Sequence, residues 1–376
     1  MRARGHIEQR LALRRLAWIT VLITTLLALM AAELGLRYLD RVPVISEHMD
    51  PGLIRYDAEL GWRLSPDWHG HHRHTDYQAT YTTDDRGRRV TLGRPGPGAG
   101  DRAVFGDSFT FGLGVDDGQT FVDELNRNAS SDHHYLNLGV PGYSTDQEYL
   151  YMQEVMPQLR PQRVVLVVYL ANDLFDNALD YPLQAAYAKP RFQSNVRGEL
   201  LLLNTPVPRT PKPAAQQALD SKRLLYGSPG DSWLDWPSRH SALVRRLAQL
   251  FRSHPTEDAG LQGRLQPYLE LFDVLLAHIQ ASLRESSTDL SLVLLPGRSL
   301  IERPGSYSAA YQEVLRQAIV TAHGSDTDII DLTPRLQQAA STATGPLYYP
   351  HDGHLTVLGH QLVARWLAEA LEGKSR

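Results

Sequence analysis

Cysteine is absent from the 376-residue chain, which excludes disulfides, thiolate metal sites and a cysteine nucleophile without choosing a compartment. Strong net charge is missing as well: the balance is −4, so there is no basic footprint for a nucleic acid. The chain is not poor in apolar residues. At 42% hydrophobic and 21% charged it is close to ordinary globular usage, which excludes wholesale disorder. Phosphate loops are missing their chemistry. RPGPGAG at 94–100 has spaced glycines but no Lys-Ser/Thr and no preceding strand, and reads as a linker. Gly112-Leu113-Gly114 is followed by Asp117 where a dinucleotide loop needs its third glycine, so no cofactor is implied. His69, His71, His72 and His74 crowd together, yet strand alternation would face them in pairs to opposite sides. No carboxylate pattern accompanies them, and they read as a solvated segment, not a metal site.

What is present begins at the N-terminus. Arg2, Arg4, Arg10, Arg14 and Arg15 against Glu8 make residues 1–15 a basic tail of +4, so the remainder carries −8. Residues 16–36 follow, uncharged except for Glu33 near their far end. As a helix these residues would span about 31 Å, the thickness of a bilayer core. Arginines before the span and none in it predict a single-pass inner-membrane protein, N-terminus cytoplasmic and the bulk extracytoplasmic or periplasmic. The lipid bilayer is thus an expected partner. A cleaved signal peptide is the rival reading, but its apolar run should be about 7–15 residues and end at a small-x-small site. Here the run is longer, and Leu29/Ala31 and Met30/Ala32 fit that site poorly.

Residues 37–100 are polar, aromatic and broken by Pro and Gly, and predict a β-rich stalk or apron. From 101 the pattern changes. Ala103–Phe105, Tyr135–Leu138, Val164–Tyr169, Leu290–Leu295 and Ile329–Leu332 are short apolar runs of the kind buried on both faces of a sheet. Helical patterns alternate with them, at Phe121–Asn126, Asp146–Met156, Leu261–Glu285, Ser308–Ala322 and Gly359–Leu371. The alternation predicts an α/β fold of three layers: a doubly wound parallel sheet of about five strands in flavodoxin-like order. A Pro-rich stretch at about 178–260 interrupts it as an insertion over the strand ends, with a hairpin-like RFQSNVRGELLLLN and an amphipathic Ser241–Phe251.

Ligands of such sheets bind at the carboxyl ends of the strands. After the first strand comes Gly106-Asp107-Ser108-Phe109-Thr110-Phe111-Gly112. A serine one residue into a strand-to-helix turn suits a nucleophile whose own amide stabilises an oxyanion, or else a simple helix cap. After the second comes Asn137-Leu138-Gly139-Val140-Pro141-Gly142, where Gly139 either lets backbone approach a substrate or only makes a turn. After the third, Leu170-Ala171-Asn172-Asp173 offers Asn172 as a side-chain donor, or as a cap. Near the C-terminus stands His351-Asp352-Gly353-His354 before the last helix. His360 reads as a structural residue of that helix.

Four such segments in this order resemble the SGNH/GDSL hydrolase superfamily. GDSFTFG is similar to its first block, NLGVPG to its second, LAND to its third and DGH to its last. The resemblance implies Ser108 as nucleophile, His354 as base, and an oxyanion hole of Ser108, Gly139 and Asn172. The N-terminal span, the YTTDDRGRR segment and the Pro-rich insertion resemble the membrane-anchored bacterial members. One departure stands out: the family's last block is Asp-x-x-His, whereas the residue three before His354 is His351. Asp352, two before, faces the same side of an extended segment about 6–7 Å away, and some related O-acetyltransferases have an Asp-x-His spacing. Either Asp352 orients the imidazole or a backbone carbonyl does so in a Ser–His dyad.

The implied activity is that of a serine esterase or deacylase acting on an ester, such as an O-acyl group on a glycan. An O-acyltransferase for an exported or wall polysaccharide and a non-catalytic glycan-binding protein are the other readings.

Overall fold

A computed structural model describes residues 2–39, 45–91, 101–128, 133–217, 219–226, 240–251 and 260–372. The linker expected at 94–100 lies outside the described residues. The chain divides into two compact units, one of Met1–Val44 with Tyr226–Ser253 and one of Ile45–Leu225 with His254–Arg376.

In the first unit, α1 runs from Arg2 to Leu39. Its segment Leu13–Leu39 is long and apolar enough to cross a membrane, wider at both ends than the stretch between Arg15 and Arg37. The amphipathic stretch expected at Ser241–Phe251 is a helix over Ala242–Phe251.

The second unit opens with β1 (Glu47–Met49), β2 (Ile54–Asp57), β3 (Gly61–Leu64), β4 (His69–His74) and β5 (Tyr77–Thr82). They form a three-stranded antiparallel sheet, β1-β4-β5, and the hairpin β2-β3. The strands of this segment do not stand free. Trp62 Nε1 donates to Pro141 O at 3.0 Å, Gln147 Nε2 to Leu60 O at 2.7 Å, and Thr80 N to Asp116 Oδ1 at 2.8 Å. Asp117, the residue that spoils the dinucleotide pattern, accepts Thr82 N and Thr82 Oγ1 and ties β5 to the loop before α3 (Phe121–Asn128).

The central sheet contains β6 (Arg102–Gly106), β7 (Tyr135–Gly139), β8 (Arg163–Tyr169), β11 (Asp289–Leu295) and β12 (Asp328–Asp331), with the hairpin β9 (Arg191–Ser194) and β10 (Leu200–Leu203) lying outside it. Its order is β7-β6-β8-β11-β12 and every pairing is parallel. This is the expected doubly wound arrangement, and the reason is visible in β8. Its RVVLVVY sequence buries every residue after the first, which requires cover on both faces. On one face Val104, Val165 and Val293 pack with Phe121, Val122 and Leu125 of α3 and Val363, Ala364 and Leu367 of the last helix, Val357–Glu372. The helices α4 (Thr145–Leu159) and Leu261–Glu285 pack together, α4 against β6 and Leu261–Glu285 against β11. Parallel strands bring Gly106, Gly139 and Tyr169 to one edge of the sheet.

Candidate active site

Ser108 begins a single helical turn, α2 (Ser108–Phe111), directly after β6. The cap of that turn is Asp107, not Ser108: Asp107 Oδ1 accepts Phe109 N at 2.8 Å. The serine hydroxyl is therefore released from capping. Gly106 and Gly139 make the tight fit beneath it. A Cβ on Gly106 would lie 2.2 Å from Thr110 Oγ1, and one on Gly139 would lie 2.3 Å from Phe111 N. Only glycine lets the ends of β6 and β7 pass this close under the turn.

His354 arrives from the other end of the chain. The isolated bridge Tyr348–Leu355 and the bond from Tyr349 N to His354 O make a hairpin-like loop before the last helix. Gly353 at its tip has φ +89°, which a side chain resists. The loop sets His354 Nε2 2.7 Å from Ser108 Oγ. On the other side of the ring, Nδ1 meets Asp352 Oδ1 in a short contact, and Asp352 Oδ1 also accepts His354 N at 3.1 Å. Of the two partners open for this imidazole, the structure supplies the Asp352 carboxylate. Burial pushes Asp352 upward, but the His354 hydrogen bond and charge, with the Tyr77 hydroxyl, outweigh it and hold the carboxyl well below its usual range. It stays ionised and acceptor-only.

Two residues outside the sequence motifs complete this loop. The Tyr77 hydroxyl donates to Asp352 Oδ2 at 2.7 Å. Asp76 accepts His351 N at 2.8 Å and Asp352 N at 2.9 Å, and its other oxygen meets His351 Nδ1 at 2.6 Å. His351, which occupies the place of the usual carboxylate, is thus paired away from His354. The signal that could have found Asp76 and Tyr77 is slight: a Thr-Asp turn between two polar strands.

Asn172 and Gly139, the expected donors, differ in their present partners. Asn172 lines the cavity beside His354, and its Nδ2 gives one hydrogen to Asp176 Oδ2 at 2.8 Å, leaving the second for a ligand. Gly139 lies at the same edge, but its N–H donates to Asn137 Oδ1 at 3.0 Å. Below the site lie the carboxyls of Asp107, Asp146, Glu148, Asp173 and Asp176, all buried, with Lys189 paired to Asp146. Burial raises Asp107 and Asp176 to about 6 and pushes Glu148 and Asp173 well above the ordinary range. With Glu148 and Asp173 keeping their protons and Lys189 paired to Asp146, these carboxyls can lie close together near Ser108.

A cavity of about 460 Å³ opens over His354 and Asn172. Phe109, Tyr169, Ala171, Leu183 and Leu219 supply its apolar part. Ser221, Ser299, Ser306, Ser308, Tyr311, Gln184, Asp220 and Arg303 make the rest polar. The segment at 178–225 supplies one wall through Leu183, Gln184, Leu219, Asp220 and Ser221.

The histidine-rich strand corrects one expectation. His69 and His71 are exposed, but His72 is fully buried and His74 nearly so at its side chain. His72 meets Tyr81 and Glu47 at 3.0 Å each, and burial lowers its pKa. The solvated reading fails for these two because their face of β4 packs on Tyr77 and Tyr81, with ring centroids 5.0–5.8 Å apart. Among the described residues, no group of three or more His, Cys, Asp or Glu is placed to hold a metal ion. His360 is buried in the last helix and accepts Phe121 N at 3.1 Å.

The model of the GDSL-like lipase/acylhydrolase family matches residues 104–362. No curated protein matches the chain. Among solved structures, LAE5, an α/β hydrolase from the metagenome of Lake Arreo, is 13% identical over 73% of this chain and 96% of its own, with a TM-score of 0.41. A putative lipolytic protein of the G-D-S-L family from Desulfitobacterium hafniense is 12% identical over 72% and 98%, with a TM-score of 0.38. Axe2, an acetylxylan esterase from Geobacillus stearothermophilus, is 12% identical over 75% and 96%, with a TM-score of 0.37. Since the family match takes in well over half the chain, from β6 to the last helix, the protein belongs to the GDSL-like lipase/acylhydrolase family and is a hydrolase of the esterase kind.

Proposed function

We propose that the protein is a membrane-anchored serine esterase or deacylase that removes an O-acyl group from a glycan or a small ester. The observation that carries the reading is the unbroken chain Ser108 Oγ, His354 Nε2 and Nδ1, Asp352 Oδ1, in that spatial order. With its Nδ1–H given to Asp352, the imidazole faces Ser108 with a lone pair. Ser108 Oγ attacks the ester carbonyl carbon and its proton passes to His354 Nε2. The tetrahedral adduct expels the alcohol, which leaves with that proton, and an acyl-serine remains. Water then attacks the acyl-serine, giving a proton to His354. The carboxylic acid departs and Ser108 recovers its hydrogen.

The oxyanion is held by the Ser108 amide and the second Asn172 hydrogen, each donor worth about 2.7–4 kcal/mol of barrier. Gly139 joins them when its N–H exchanges Asn137 Oδ1 for the oxyanion. The hydroxyl-rich cavity supports a sugar-bearing substrate. It also favours a second reading, O-acyl transfer to a polysaccharide, in which a bound hydroxyl resolves the acyl-serine instead of water. The membrane-spanning character of Leu13–Leu39 and the arginines before it support an extracytoplasmic catalytic unit.

Fluorophosphonate labelling at Ser108 followed by a labelled acyl-ester panel, with and without oligosaccharide acceptors, tests both readings. Free acid as the main product supports the esterase. Label accumulating on sugar at millimolar acceptor supports the transferase, and no labelling of Ser108 defeats both.

A further inference from the structure

We infer that the helix Ala242–Phe251 is an interfacial membrane element, clamped by Glu33 to the outer end of α1 and partnered by the headgroups and upper acyl chains of the bilayer. The inference rests on the membrane-anchored reading above. It begins from an oddity of the sequence: between Arg15 and Arg37 the apolar stretch carries one charge, Glu33. A carboxylate there is costly unless its oxygens are satisfied.

Within the first unit they are satisfied by one partner element. Glu33 Oε1 accepts Ala242 N at 2.9 Å, and Oε2 accepts Leu243 N at 2.9 Å and Ser241 Oγ at 2.8 Å. Arg37 Nε also donates to Oε1 at 2.6 Å, while Arg37 Nη2 donates to His240 O at 2.6 Å. The first N–H groups of any helix lack intrahelical acceptors, and lipid offers none. Glu33 and the helix start therefore solve each other's problem, and neither could sit at the edge of the hydrocarbon alone.

The rest of the helix has the chemistry of that depth. In sequence its apolar positions 243, 244, 247, 250 and 251 recur at helical spacing. Leu247 is 46% exposed, and α1 side chains of the same unit, among them Leu26, Leu27 and Leu34, are exposed as well. The neighbouring Arg246 is exposed too. The exposed apolar character of the span thus recurs at Leu247 on a second helix held against it, and on the membrane-anchored reading that character has lipid as its occupant.

The test uses the full chain in vesicles of phosphatidylethanolamine and phosphatidylglycerol. Because the natural chain has no cysteine, Leu247→Cys and Arg246→Cys each take one bimane label. Spin labels high on the lipid acyl chains should quench the Leu247→Cys probe about threefold more than the Arg246→Cys probe, as for an apolar face lying in the interface. Aqueous iodide should give the reverse order. Adding Glu33→Ala should bring the two probes to the same quenching while ester hydrolysis is retained. Carbonate washing separates the two claims. Protein released by carbonate fails the anchored reading, and this one with it. Protein that stays embedded while iodide quenches both probes alike, or while the Leu247→Cys probe is shielded from lipid and iodide alike, overturns the interfacial helix only.

Discussion

Tyr77 and Asp352, 275 residues apart in sequence, share a hydrogen bond of 2.7 Å in which the tyrosine hydroxyl holds the carboxylate oxygen that His354 does not use. The bond joins the antiparallel β-sheet near the N-terminus to the loop that carries His354. With Asp76 binding two backbone N–H groups of the same loop, the apron positions Asp352 from both sides. The departure from Asp-x-x-His is compensated here: a carboxylate one residue closer to the histidine is braced by a neighbouring sheet.

That bond predicts a role for Tyr77 in positioning. Tyr77→Phe leaves a buried carboxylate oxygen unpaired, which costs about 1–3 kcal/mol. Turnover should fall about tenfold with little change in KM, the size of effect that amount of misplaced charge produces. Steady-state kinetics decides the matter through the split between kcat and KM, and an unchanged kcat refutes the role.

The nucleophile is tested by Ser108→Ala. Loss of a triad nucleophile costs about 10⁶ in turnover, so hydrolysis and fluorophosphonate labelling should both vanish. A variant labelled at the natural rate would remove Ser108 from the mechanism.

Asp352→Ala separates triad from dyad. An orienting carboxylate is worth about 10⁴ in turnover, and His354→Ala should cost more still. Single-turnover rates on an activated ester measure both. A loss under about tenfold at Asp352 would mean that another group orients His354.

The buried carboxyls set a pH dependence of stability. Burial, with the Asp107 and Asp146 charges, raises Glu148 well above its ordinary range, and burial raises Asp176 to about 6. A folded state with raised carboxyl pKa values keeps protons that the unfolded chain releases. Its stability is full below the ordinary carboxylate range and declines as pH rises through the folded values. The melting temperature should therefore fall between pH 5 and pH 8. Glu148→Gln, which cannot ionise, should raise it at pH 8 by about 3 °C, the effect of roughly 1 kcal/mol on a domain of this kind, and change it little at pH 5. Equal gains at both pH values would show that the charge of Glu148 is not the cause.

The linear sequence determined the alternation of strands and helices: a fully apolar run announces a strand buried on both faces, and turn chemistry at its end announces the rim. The sheet order was the usual one for that alternation, and Ser108, Asn172 and His354 were marked by four motifs whose order resembles the SGNH/GDSL family. Tertiary structure alone decided that Asp352 is the partner of His354 Nδ1, that Asp76 and Tyr77 brace it, that Gly139 gives its N–H to Asn137, and that His72 is buried where an exposed strand was expected. It also decided what Glu33 binds, more than 200 residues away. The physical reason is the same throughout. Periodicity and turn preference act over a few residues, whereas a polar side chain's partner depends on which surfaces meet when separate elements pack, and no local pattern in the chain encodes that meeting.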